Sequence, residues 1–159
     1  MKQKDATFRN LPWRHWQLLG EAGLFLVAAW AAIALLPFAR VARLASGKNA
    51  RLIPPRDTPT IDELRWAIGA VARRVPFRAK CFEQGLTAQW MLRRRRIAST
   101  LFYGVAVGQG GALSAHVWVR AGEFDVVGCE SRDCFAVVAQ FPPEPADSSC
   151  QSSRPASIR

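Results

Sequence analysis

Residues 79–107 read AKCFEQGLTAQWMLRRRRIASTLFYGVAV, and the hydrophobic period changes once within them. Before the arginines, Cys81, Gly85, Ala88 and Leu92 recur at helical steps, and Phe82, Leu86 and Met91 widen the stripe. That pattern predicts a helix over about 79–95, buried on two sides, with Cys81 in its first turn. From Thr100 the run is short and rich in valine and aromatic residues, as in a strand. The same signature returns at residues 115–120, 123–128 and 134–141, each bounded by turn residues. Upstream, Thr60 and Glu63 have the spacing of a capping box. The helix they open carries Leu64, Ala67, Ile68 and Val71 on one face, ends near Arg73-Arg74 and is stopped by Pro76. Residues 13–46 also read as helix, one piece or two broken near Pro37. Helices first and strands second give an α+β domain, its helical N-terminal half packed on a roughly four-stranded antiparallel sheet.

Half of the 159 residues are apolar and 21% are charged, enough to bury one core without metal or disulfide support. That composition excludes a wholly disordered chain, a collagen-like repeat and a disulfide-rich miniprotein. The organisation expected is a loose stretch over residues 1–12 and one domain over 13–142. Within the domain lie an apolar helical segment (13–46), a Gly/Pro/Arg-rich linker (47–59) and a core (60–142). Residues 143–159 form a Pro/Ser-rich tail expected to be disordered.

Charge is unevenly placed. Residues 1–100 hold 18 basic and 6 acidic side chains, and residues 101–159 hold 4 and 6. A basic front half suits an acidic peptide, a membrane surface or a nucleic acid. Nucleic acid is disfavoured, because the aromatics sit in apolar stretches rather than among the cations. The four cysteines, Cys81, Cys129, Cys134 and Cys150, include no C-x-x-C, and only His15 and His116 accompany them. No metal site is expected, and reduced thiols point to a cytoplasmic chain. Residues 22–39 carry no charge over eighteen positions, at the threshold for a membrane span. The first expectation there is a helix packed on protein; the alternative is a peripheral or inserted membrane helix flanked by Trp13, Trp16, Arg40 and Arg43.

A thiol at a helix N-terminus is favoured as thiolate by the dipole and the unpaired N–H groups. Cys81 has that position, close behind Arg78 and Lys80. His116 lies in a strand-like Ala-His-Val-Trp-Val-Arg. With Ala121-Gly122 as a two-residue turn, His116 faces Val127 and Trp118 faces Asp125. Val117, Val119, Phe124 and Val126 then share one face, and His116, Arg120, Glu123 and Asp125 the other. Asp125 is diagonal to His116, the place of an acid that orients the ring. Cys81, His116 and Asp125 together have the order of a nucleophile, base and orienter.

Three segments carry a resemblance: Phe77–Leu86 (FRAKCFEQGL), Met91–Ile97 (MLRRRRI) and Ala115–Val119 (AHVWV). Together they resemble lasso peptide biosynthesis B2 proteins, members of the transglutaminase-like cysteine protease superfamily similar to the C-terminal domain of the microcin J25 processing protein. The resemblance spans about residues 13–142 and implies a transglutaminase-like, papain-like core. It implies Cys81 as nucleophile, His116 as general base and an acid on the following strand, Asp125 first, with Glu130 or Asp133 as alternatives. Arg120 departs from the family, which more often has an acid there. The implied reaction removes the leader of a precursor peptide before macrolactam closure and needs no cofactor. The Phe82 backbone and the Gln84 side chain are the implied oxyanion donors. The implied partners are the precursor, a separate leader-recognition protein of the PqqD-like B1 type and a macrolactam synthetase of the asparagine-synthetase type. Arg93, Arg94, Arg95 and Arg96 are read either as cations closing a helix or as a docking patch for a leader, partner or lipid. Rival readings are a basic nucleic-acid- or membrane-binding scaffold without catalysis, and an amidase or acyltransferase on the same fold.

Overall fold

The computed structural model describes residues 12–47, 58–108 and 111–143. The expectations for the loose N-terminus and the tail with Cys150 lie outside them, as does most of the linker. Helix α1 spans Trp13–Leu35 and α2 Phe38–Ser46, so the break falls at Leu36-Pro37 as the proline requires. Helix α3 spans Thr58–Ala72. It begins two residues before the expected start, because Pro59 sits in the first turn, where its missing N–H costs nothing. Thr60 is therefore inside the helix rather than its cap. Helix α4 spans Cys81–Arg94.

Strands β1 (Thr100–Val107), β2 (Leu113–Ala121), β3 (Phe124–Val127) and β4 (Ala136–Phe141) form one antiparallel sheet in the order β3-β2-β1-β4. A 3-10 turn, Cys129–Cys134, links β3 to β4 where strand was expected to begin and end. The core lies between helices and sheet. Leu64 and Ile68 of α3, Met91 and Leu92 of α4, and Leu101, Val119 and Val126 of the sheet are at most 1% exposed. Ala22 closes it from α1. Gly85 sets the spacing, since a Cβ there would come within 2.8 Å of Val117 Cγ1. The glycine lets α4 lie directly on β2, which brings the start of α4 to the strand that carries His116.

The β2–β3 hairpin differs from expectation by a register. Ala121 pairs with Phe124 and Arg120 with Asp125, so the turn is Gly122-Glu123, and a bulge then brings Val119 opposite Val127. Gly122 takes φ 54° at the first turn position, which favours glycine. Ala121, read as a turn residue, is fully buried. Its methyl belongs to the core, and the bulge re-phases the strand so that Val126 stays inside as well.

Candidate active site

Cys81 is the first residue of α4, half-buried, after an N-cap, Lys80, whose side chain makes no cap hydrogen bond. The first-turn N–H groups of a helix have no acceptor within it. Those of Cys81 and Phe82 thus stand beside the sulfur, and the dipole favours negative charge at the same point. Gln84 fixes the approach to this turn. Its backbone N–H donates to Lys80 O at 3.2 Å, and its Nε2 donates to Ala79 O at 2.8 Å. The side chain expected to serve an oxyanion therefore holds the backbone leading to Cys81.

His116 lies in β2 opposite Gly104, its ring 5.0 Å from that of Phe135 and 6.1 Å from that of Trp118. Its Nε2 is 2.7 Å from the carbonyl oxygen of Gly128. A carbonyl only accepts, so Nε2 carries the proton and Nδ1 is the basic nitrogen. Gly128 has φ 71° and ψ 13°, and a Cβ on it would sit 2.5 Å from Val117 O. Only glycine allows the chain to pass so close to β2 with its carbonyl against the imidazole.

Cys81 and His116 line one cleft of about 520 Å³, together with Gln84, Gly128 and Glu130. Its other wall is a single stripe of α3, Asp62, Arg65, Trp66, Gly69 and Arg73. A second cleft of about 600 Å³ between Arg14, Glu21, Glu63 and Arg95 contains neither thiol nor imidazole. The smaller cleft is the one equipped for nucleophilic chemistry.

Asp125 and His116 are hydrogen-bonded to different partners. Asp125 Oδ1 accepts from Arg120 Nε at 3.1 Å and from Arg132 Nη1 at 2.6 Å. The change of register is the cause: a turn moved by one residue shifts the pairing by two and places Arg120, not Trp118, across from Asp125. Arg65 donates to the backbone carbonyls of Asp125 and Val126 and fixes β3 against α3. Asp133 is 95% exposed and lies beside Arg132. Of the three acids considered, Glu130 is the one that shares the cleft with Cys81 and His116. The partner that the imidazole does have, the Gly128 carbonyl, was not anticipated. Its sequence signal is a glycine directly after a valine-rich strand, the usual mark of a left-handed turn. The α3 wall was also missed, although residues 62, 65, 66, 69 and 73 repeat at helical spacing.

The remaining cysteines are less suited to attack. Cys129 donates weakly to Val119 O at 3.3 Å and Val127 O at 3.5 Å. Burial, then the nearby Asp125 charge, pushes its thiol above the usual value and keeps it protonated. Cys134 is exposed, and Cys81, Cys129 and Cys134 are all free thiols. Among the described residues no group of His, Cys, Asp or Glu could hold a metal ion.

The arginine run is divided among different contacts. Arg93 donates to Leu44 O at 2.9 Å and to Ala45 O at 2.5 Å, closing the end of α2, and burial lowers its pKa from the usual value. Arg95 makes a two-pronged pair with Glu21 of α1, at 2.9 and 2.7 Å. Arg94 and Arg96 remain exposed. The local period marks all four as helix C-terminal cations; only the approach of α1 and α2 separates them.

Residues 23–140 match the transglutaminase-like superfamily, from the middle of α1 to the end of the sheet. No curated protein and no solved structure matches the chain.

Proposed function

Because the chain belongs to the transglutaminase-like superfamily, we propose that it is a cysteine peptidase, and that it removes the leader from a ribosomally made lasso peptide precursor. The shared cleft of Cys81 and His116 is the observation that carries the peptidase reading. The leader-removing part rests on the resemblance of residues 77–86, 91–97 and 115–119 to lasso peptide B2 proteins.

In this reading the Cys81 thiol gives its proton to His116 Nδ1, and the sulfur attacks the scissile carbonyl carbon. Backbone N–H groups of the first turn of α4 receive the developing oxyanion. The C–N bond then breaks, the leaving amine takes the proton from the imidazolium, and the leader remains as a thioester on Cys81. Water, deprotonated by the same ring, hydrolyses the thioester and restores the thiol. Gly128 O keeps the ring oriented throughout, so the site works as a Cys–His pair with a backbone carbonyl in the third position. The freed core, now with an α-amine, passes to a separate macrolactam synthetase. A separate leader-recognition protein supplies precursor binding.

Mass spectrometry of a leader–core precursor incubated with this protein and the recognition protein tests the assignment. Wild type is expected to cut one bond, while Cys81→Ala and His116→Ala lower the rate by about 10³-fold or more. Cleavage that survives Cys81→Ala removes the peptidase reading.

A further inference from the structure

The solvent side of α1 is apolar where a helix of a soluble domain ordinarily carries charge. At about 100° per residue, Trp13, Leu24, Val27 and Leu35 fall opposite Ala22, Leu26 and Ala29. The latter three are fully buried, and the former four are 74, 66, 48 and 80% exposed. Trp16 and Trp30 border the face; Phe38, at the start of α2, is 58% exposed and its ring lies 6.4 Å from those of Phe82 and Tyr103. Between residues 16 and 39 the single charged side chain is Glu21. It is turned inward, 13% exposed, in the grip of Arg95. An eighteen-residue window of the helix has mean hydropathy 2.0, with 22% of it buried. A continuous apolar patch of this kind on a folded surface marks a docking site.

Two further observations say what docks. Cations stand at both ends of the helix and not along its exposed face: Arg14, next to Trp13 and 81% exposed, at one end, and the exposed Arg40 and Arg43 of α2 after the other. This is the layout of an interfacial helix, apolar ridge inward and arginines at the headgroups. In the folded domain the helix lies on the helices and sheet, with Ala22, Leu26 and Ala29 fully buried, so only its outer face is free to meet lipid.

We propose that α1 and α2 dock this protein on an anionic bilayer, with α1, about 35 Å long, lying flat in the headgroup region. The inference is independent of the cleft's chemistry, though one contact links the two regions. Trp30 stacks on Phe77 at 5.2 Å, in the segment that leads to Cys81.

Vesicle flotation of the full chain is the test, with phosphatidylcholine alone and with phosphatidylcholine–phosphatidylglycerol mixtures. Wild type is expected to float with the anionic vesicles and much less with the neutral ones. Leu24→Glu/Val27→Glu and Arg40→Glu/Arg43→Glu should each lower the bound fraction by about tenfold or more, with thermal unfolding midpoints held near that of wild type. Trp13→Ser/Trp16→Ser, at the exposed helix end, gives a second reading of the apolar face should the glutamates disturb folding. Wild type that stays with the unbound fraction on anionic vesicles overturns the proposal, as does a Leu24→Glu/Val27→Glu protein that folds and floats like wild type. Concentration-dependent dimerisation without flotation also overturns it and assigns the face to a second protein.

Discussion

At the β2–β3 corner, two ionisable side chains nine residues apart are held in opposite ways. His116 meets backbone: Nε2 donates to Gly128 O, and the ring keeps a basic nitrogen. Asp125 meets charge: one of its oxygens is held by Arg120 and Arg132 together. A side chain anchored through one atom to a carbonyl retains a second atom for chemistry. A carboxylate clasped by two guanidiniums is committed to joining β2, β3 and the 3-10 turn. An acid close in sequence to a catalytic histidine is therefore no sign by itself of a triad, and the partner has to be identified by contact.

The strongest way to break that contrast is Gly128→Ala. The new Cβ requires a left-handed conformation unfavourable by about 1–2 kcal/mol and approaches Val117 O too closely, so the carbonyl has to move away from His116. Activity on the precursor is expected to fall about 10- to 100-fold, with the fall concentrated in kcat. Unchanged activity would mean that the carbonyl does not position the ring.

Asp125→Asn should act on the fold rather than on the rate. Its carboxylate is 40% exposed and both arginines are about one-third exposed, so solvent screening limits the cost to about 1–2 kcal/mol in a denaturant titration. Turnover should stay within about threefold, whereas an acid that fixes the tautomer of a triad histidine costs about 10⁴-fold on amidation. A loss of the latter size would restore Asp125 to the site and undo the comparison.

The smallest effect concerns Cys129, which lies beside Asp125. Its folded-state pKa is raised, so the unfolded chain releases the thiol proton first as the pH rises. Unfolding stability should then decline with pH above the usual thiol value and level off once the folded thiol also ionises. Cys129→Ser is expected to flatten that part of the stability profile. An equal decline in the serine variant would place its origin elsewhere.

Much of the molecule was legible beforehand because its signals are local. The change of period at Arg93–Arg96 separates helix from strand, Pro37 and Pro76 punctuate the helices, and the core face Val117, Val119, Phe124 and Val126 lies in one cluster as expected. Cys81 opens α4 because nothing before it continues the helix, and His116 lies in β2 because its neighbours alternate. The hairpin register was misread because two competing turns, Ala121-Gly122 and Gly122-Glu123, differ by one residue. Burial of Ala121 under the helices decides between them, and the local pattern does not contain it.

The sequence by itself determined the order of helices and strands, the α+β class, the thiol at a helix start and the imidazole on a strand, since period and punctuation act over a few residues. The tertiary structure alone decided which groups meet. The bulge after Val119, the left-handed Gly128, the locking of Asp125, the parting of Arg93 and Arg95 from Arg94 and Arg96, and the face of α1 left uncovered all depend on surfaces brought together from distant parts of the chain. Hydrogen bonds and ion pairs reach only a few ångströms, so a turn moved by one residue, which shifts the pairing by two, changes every partner while leaving the hydrophobic period intact.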